Sequence, residues 1–176
     1  MFLKRILTIV LFSVSHIVYV RSQDIDTNNL KTQATEMAES FMKEDYATLA
    51  KYTYPKIVEL MGGNDNMIAI LKKGVEDMQK KGVTFKSVSV TPTSLKAKAG
   101  KEIHTIVAQT IVMGVPGGTL TSYSYLLAIT ADNGKTWRFV DTAQMTDMDK
   151  IKSVFPNYNP DLKIPKKDPP IFNKDQ

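Results

Sequence analysis

The chain of 176 residues contains no cysteine. That excludes a disulfide framework, a thiol nucleophile and any zinc site built on thiolates, and leaves the fold to its core. It also leaves no residue on which a bacterial lipid anchor could be built. Histidine is scarce, with only His16 and His104. A single histidine in the body of the chain does not make a transition-metal cluster, so neither a metal nor a cofactor is expected. No glycine-rich loop opens a helix: Val115-Pro116-Gly117-Gly118 joins two strand-like runs instead. A Gly-x-Ser-x-Gly elbow, a His-Glu-x-x-His pair and EF-hand spacing are all missing. Phosphate-loop, serine-hydrolase and zinc-protease chemistry fall away with them.

Only one long apolar run occurs, Ile6 to Val20, after the basic start Met1 to Arg5. At fifteen residues it is shorter than the ~20 a spanning helix needs. Val20-Arg21-Ser22 then offers a cleavage site before Gln23. Residues 1–22 therefore read as a secretory signal peptide, with export to the periplasm or medium and no stable membrane anchor. Export without disulfides suits a bacterial protein. Charge of one sign is also lacking. The formal +5 loses Lys4, Arg5 and Arg21 with the signal, leaving twenty basic residues against eighteen acidic ones. No basic stripe interleaved with aromatics remains, so no nucleic-acid partner is expected.

Periodicity supplies the elements. Residues 23–29 are polar and read as a frayed start. From Leu30, the residues Ala34, Met37, Ala38, Phe41 and Met42 recur at helical spacing, with Asn28 or Asn29 as N-cap. Asp45 can cap a short helix over 46–52, and Tyr54-Pro55 opens a third that Gly62-Gly63 stops. A fourth runs from a cap at Asn64, Asp65 or Asn66 to about Lys81, with Met67, Ile68, Leu71, Val75 and Met78 inward. Gly74 lies inside it, costing ~1 kcal/mol against Ala unless close packing requires it. Val83 to Thr91 alternates as a strand with a change of face near its middle. Pro92 ends it, and a short strand follows over 95–99.

Glu102 to Thr142 then reads as a three-stranded antiparallel meander. Pro116-Gly117 suits a type II turn, and Asn133-Gly134 tolerates the positive φ angles of a type I′ turn. Met145 to Phe155 suggests a helix capped by Thr146 or Asp147 and stopped by Pro156. Residues 157–176 hold four more prolines without periodicity and read as an extended or disordered tail. Helices followed by an antiparallel sheet make an α+β domain over 30–156.

An acidic residue plus Tyr (Asp45-Tyr46), the Tyr54-Pro55 opening and the hairpin from Asp132 to Asp141 resemble the NTF2-like superfamily. This is the cystatin-like α+β cone shared by nuclear transport factor 2, ketosteroid isomerase and scytalone dehydratase. The resemblance implies a curved sheet and helices enclosing a conical pocket, used in that superfamily for isomerisation, dehydration, small-molecule binding or dimer contacts. Fold alone does not choose among these.

Candidate residues come from alternation. Trp137, Phe139 and Asp141 share one face of the last strand. A carboxylate on an apolar face is a candidate general base, and equally a cap for the following loop. His104 is a candidate acid–base partner, or a structural histidine at a strand start where rim exposure is common. Tyr123 and Tyr125 share a face with Leu127 and Ile129, either lining a pocket or packing across strands. Tyr54 stands near Tyr46 and Tyr52, between pocket lining and core. Two readings follow. One is a non-catalytic exported module that binds a small apolar molecule or a partner, including a homodimer through the sheet face. The other is a lyase or isomerase, which requires Asp141, His104 and Tyr123 or Tyr125 to converge.

Overall fold

The computed structural model describes residues 27–145 and 147–175; the expected signal segment, residues 23–26 and Thr146 lie outside them. Helix α1 (Thr27–Met42) buries Leu30, Ala34, Met37 and Ala38, the stripe its spacing predicts. It starts earlier than the polar sequence suggested, so Asn28 and Asn29 lie within the helix. Asn29 does not cap. Its amide Nδ2 donates across the fold to the carbonyls of Gly134 and Lys135. Gln33 adds a bond to the Lys135 carbonyl (2.8 Å) and accepts from the Trp137 backbone N–H (2.8 Å), clamping α1 to the distant loop.

Helix α2 (Tyr46–Tyr52) begins at Asp45, whose carboxylate accepts from the Thr48 N–H at 3.0 Å. Helix α3 (Pro55–Leu60) opens with proline at its first position. Helix α4 (Asn64–Lys80) is capped by Gly63 at φ 93°, not by an asparagine or aspartate side chain. Asn66 instead donates to the Met61 carbonyl at the end of α3. In α4 only Met67 and Val75 are fully buried. Gly74 faces open space, so no close packing accounts for it.

Four strands follow in the order β1-β2-β3-β4, all antiparallel: β1 (Thr84–Ala99), β2 (Glu102–Val115), β3 (Gly118–Thr130) and β4 (Arg138–Asp141). β1 is one strand where two were expected. Its ladder with β2 shifts register between Phe85 and Ser87, which keeps Phe85, Val88 and Val90 on one face, and again between Pro92 and Lys96. Pro92 is tolerated because β1 is an edge strand and can spare a donor there. Hydroxyls bridge the second gap: Thr93 donates to the Ile106 carbonyl and Thr105 to the Leu95 carbonyl. At the β2–β3 turn Gly117 takes φ 81°, as the Pro-Gly pair predicts. Asn133 and Gly134 also take positive φ (58° and 90°), but within a longer loop between Thr130 and Arg138 rather than a tight hairpin. Asp132 organises that loop by accepting from the Thr130 hydroxyl and from the Thr136 N–H, both at 2.8 Å.

The sheet has a core on each face. On one, Val90, Val107, Leu126, Ala128, Trp137 and Phe139 pack against α1 and α2. On the other, Ile106, Leu127, Ile129 and Val140 pack under helix α5 (Met148–Val154), through Ile151, and the segment after it. Asp147 caps α5, accepting from the Asp149 N–H. Phe155 is buried in this second core, and residues after it that were expected as an extended or disordered tail join it: Tyr158 and Leu162 are buried as well. Beyond them β5 (Ile171–Lys174) pairs with Gly118–Thr121 of β3, on the edge that the short β4 leaves open. No described helix is long and apolar enough to cross a membrane.

Candidate functional site

The cavity between α1–α4 and the first face of the sheet has a volume of ≈ 470 Å³. Its floor is Gln109, Ile111, Leu126, Phe139 and Asp141 from three neighbouring strands, and its roof includes Met37, Ala38, Phe41, Leu49, Ile57, Met67 and Leu71. Met145, Lys150 and Val154 close one side. Helical spacing of the apolar residues in α1 and α4 produces the roof. Period-2 alternation in β2, β3 and β4 produces the floor.

Few polar groups reach this space. Thr53 donates its hydroxyl to the Leu49 carbonyl and is satisfied within α2. Asp141 and Lys150 are both exposed at the mouth. The Asp141 carboxylate accepts from the Ala143 N–H at 2.7 Å, capping the 3-10 turn Thr142–Gln144. Of the two roles left open for Asp141, the cap is the one with a bond. Gln109 is the remaining polar residue, 8% exposed, with its Oε1 accepting from the Ser124 hydroxyl at 3.1 Å.

His104 is elsewhere. It lies opposite Ile129, while Asp141 lies opposite Leu126, so the two are separated by three residues along β3 and by two strand spacings. That amounts to roughly 10 Å in each direction. They also point to opposite faces, His104 with Ile106 and Ile129, Asp141 with Leu126. Rim exposure is not what the structure gives His104, which is fully buried. Its Nε2 meets Glu102 Oε2 at 3.1 Å, and its ring packs near Phe155 and Tyr158. Nδ1 has no partner among the described residues. Tyr54 joins the same cluster. Its hydroxyl donates to Glu102 Oε1 at 3.3 Å, its ring sits 5.0 Å from Phe155, and burial, with Glu102 beside it, raises its pKa.

The tyrosines of β3 also face away from the cavity. Tyr125 lines a second hollow with Thr142, Ile164 and Lys166, and Tyr123 is half-buried on that same far face. Trp137 is wholly buried in the core on the cavity's side of the sheet, without lining the cavity. Of the seven residues singled out from sequence, only Phe139 and Asp141 line the main cavity. Asp141, His104 and the tyrosines do not converge. Tyr52, which packs against Phe139, has its pKa raised to about 12 by burial and by donating to Glu36.

Gln109 escaped notice in the sequence, although its signal was there: one amide in the run Ile106-Val107-Ala108-Gln109-Thr110-Ile111, in phase with Val107 and Ile111. Among the described residues no group of three or more His, Asp or Glu gathers as a metal site would. No protein-family model, curated protein or solved structure matches the chain.

Proposed function

We propose that the chain is an exported bacterial protein of the NTF2-like cone type, and that it binds a small, mostly apolar molecule without converting it. The cavity carries this reading. A space of ≈ 470 Å³ is within the range of small-molecule sites, and its walls come almost wholly from Met, Leu, Ile, Phe, Val and Ala. A lyase or isomerase would need an acid–base pair within hydrogen-bond reach of one substrate. Asp141 is engaged in capping a turn, and His104 lies on the other side of the sheet, which favours the non-catalytic reading.

The test is native mass spectrometry of the protein purified from its own source, with uptake of the neutral dye N-phenyl-1-naphthylamine measured in parallel. The wild type is expected to carry an adduct of a few hundred daltons or to take up one dye per chain. Ala38→Phe, which places a ring in the roof, is expected to lose both while remaining folded. A bare mass together with no dye uptake by the wild type refutes the proposal.

A further inference from the structure

The cavity is apolar except at one point inside it. Gln109 stands near the middle of β2, opposite Val90 on β1 and Ser124 on β3, and its neighbours on the same face are Val107 and Ile111. The side chain is more than nine-tenths buried and lines the cavity floor. A carboxamide offers two donors and an acceptor with two lone pairs. Ser124 engages Oε1, and Nε2 has no hydrogen-bond partner among the described residues. Half of the amide is thus satisfied by the protein, and the other half is presented to an apolar space. Nε2 is not among the fully buried atoms that lack a partner, so it keeps accessible surface. A molecule that fills the cavity and displaces water from it gains by offering it an acceptor.

Resting on the reading that the cavity binds a small apolar molecule, we infer that Gln109 Nε2 anchors that molecule through an uncharged oxygen acceptor. The ligand is a hydrocarbon skeleton bearing a ketone or ester carbonyl, not an acid. A carboxylate seated at Gln109 would be stripped of water with no cation facing it. Among the described residues the one cation lining the cavity is Lys150, which is exposed at the mouth, as is Asp141. Ser124 is a positioning residue: it holds the amide so that Nε2 points into the cavity.

The experiment compares 2-acetylnaphthalene, 2-ethylnaphthalene and 2-naphthoate by titration into the wild type and into Gln109→Leu, with Gln109→Met as a second variant should the first unfold. Because the hydrocarbon partitions out of water more strongly than the ketone, the readout is the ratio of their Kd values in each protein. Removing the amide is expected to weaken the ketone roughly five- to tenfold and to leave the hydrocarbon unchanged or tighter. Naphthoate is expected to bind more weakly than the ketone. A ketone-to-hydrocarbon ratio that is the same in wild type and variant overturns the assignment to Gln109 while the cavity reading stands. Tightest binding by naphthoate, lost in Lys150→Ala, likewise overturns it by moving the anchor to the mouth. No binding of any of the three to the wild type overturns both.

Discussion

Replacing Gly118 by alanine isolates the contribution of the C-terminal strand. Gly118 opens β3 with no left-handed φ, so alanine meets no backbone objection there. Its Cβ, however, would lie 2.2 Å from the Asn173 carbonyl oxygen and 2.8 Å from two ring carbons of Phe172. Carbonyl oxygen and methyl carbon cannot coexist at that distance, and β5 must move away. What is lost can be worked out. Four residue pairs, Gly118↔Lys174 to Thr121↔Ile171, make about four ladder bonds, worth about 1 kcal/mol each. Ile171 and Phe172 remain 50% and 51% exposed. Each therefore gains only about half of a full burial, roughly 2 kcal/mol between them. Ordering four backbone residues costs about 6 kcal/mol. These terms nearly cancel. Gly118→Ala is thus expected to abolish amide exchange protection over 171–174, and to lower it over 118–121 only at the N–H groups that face β5 and not β2. It is expected to move the global unfolding midpoint by less than about 4 °C, the equivalent of about 1 kcal/mol in a domain of this size. Hydrogen–deuterium exchange read by mass spectrometry, with a thermal melt alongside, checks both halves. Retained protection over 171–174, or a fall of more than about 6 °C, would show that β5 is integral to the fold and that the cancellation is wrong.

Two further outcomes follow from side chains that hold the loop between β3 and β4. Gln33→Leu orphans the backbone N–H of the fully buried Trp137 and is expected to cost about 1–3 kcal/mol in urea denaturation. A loss under ~0.5 kcal/mol would mean that the clamp between α1 and the β3–β4 loop is not structural. Asp132 sets a pH dependence. Partial burial raises its pKa, but hydrogen bonds from Thr136, Thr130 and the Lys135 N–H outweigh this and bring it from 3.8 to about 2. With the folded value below the unfolded one, its contribution is complete above about pH 4 and fades as pH falls towards 2. Comparing wild type with Asp132→Asn in urea at pH 6 and pH 2.5, the variant is expected to lose less stability on acidification. Equal losses would contradict the loop geometry.

Local rules carried the elements. The apolar stripe of α1, the Asp45 cap, the proline opening α3 and the positive φ of Gly117 and Asn133-Gly134 all depend on residues within a few positions of one another. Sequence spacing therefore reports them. The departures occurred where a distant partner decided the matter. Asn29 has the chemistry of a cap but bonds residues 105 and 106 positions away. Pro92 should end a strand, yet an edge position lets β1 continue. Residues 157–174 have no period, because Tyr158 and Leu162 are held by α5 and the sheet, and β5 by the open edge of β3.

The site divides in the same way. Alternation by itself determined that Trp137, Phe139 and Asp141 share a face and that Tyr123 and Tyr125 share one, since period-2 geometry is local. Which strand faces coincide was decided only by register. One residue of phase puts His104 opposite Ile129 on the far side, and Gln109 opposite Ser124 on the cavity side. Exposure was decided there too, because burial depends on what packs above a residue and not on its neighbours in the chain. His104 disappears beneath Phe155 and Tyr158, while Asp141 stays at the cavity mouth as a cap. The α+β class, its helices and its turns are properties of the sequence. The apolar cavity and the inward amide of Gln109 exist only once the register of β2 against β3 is set.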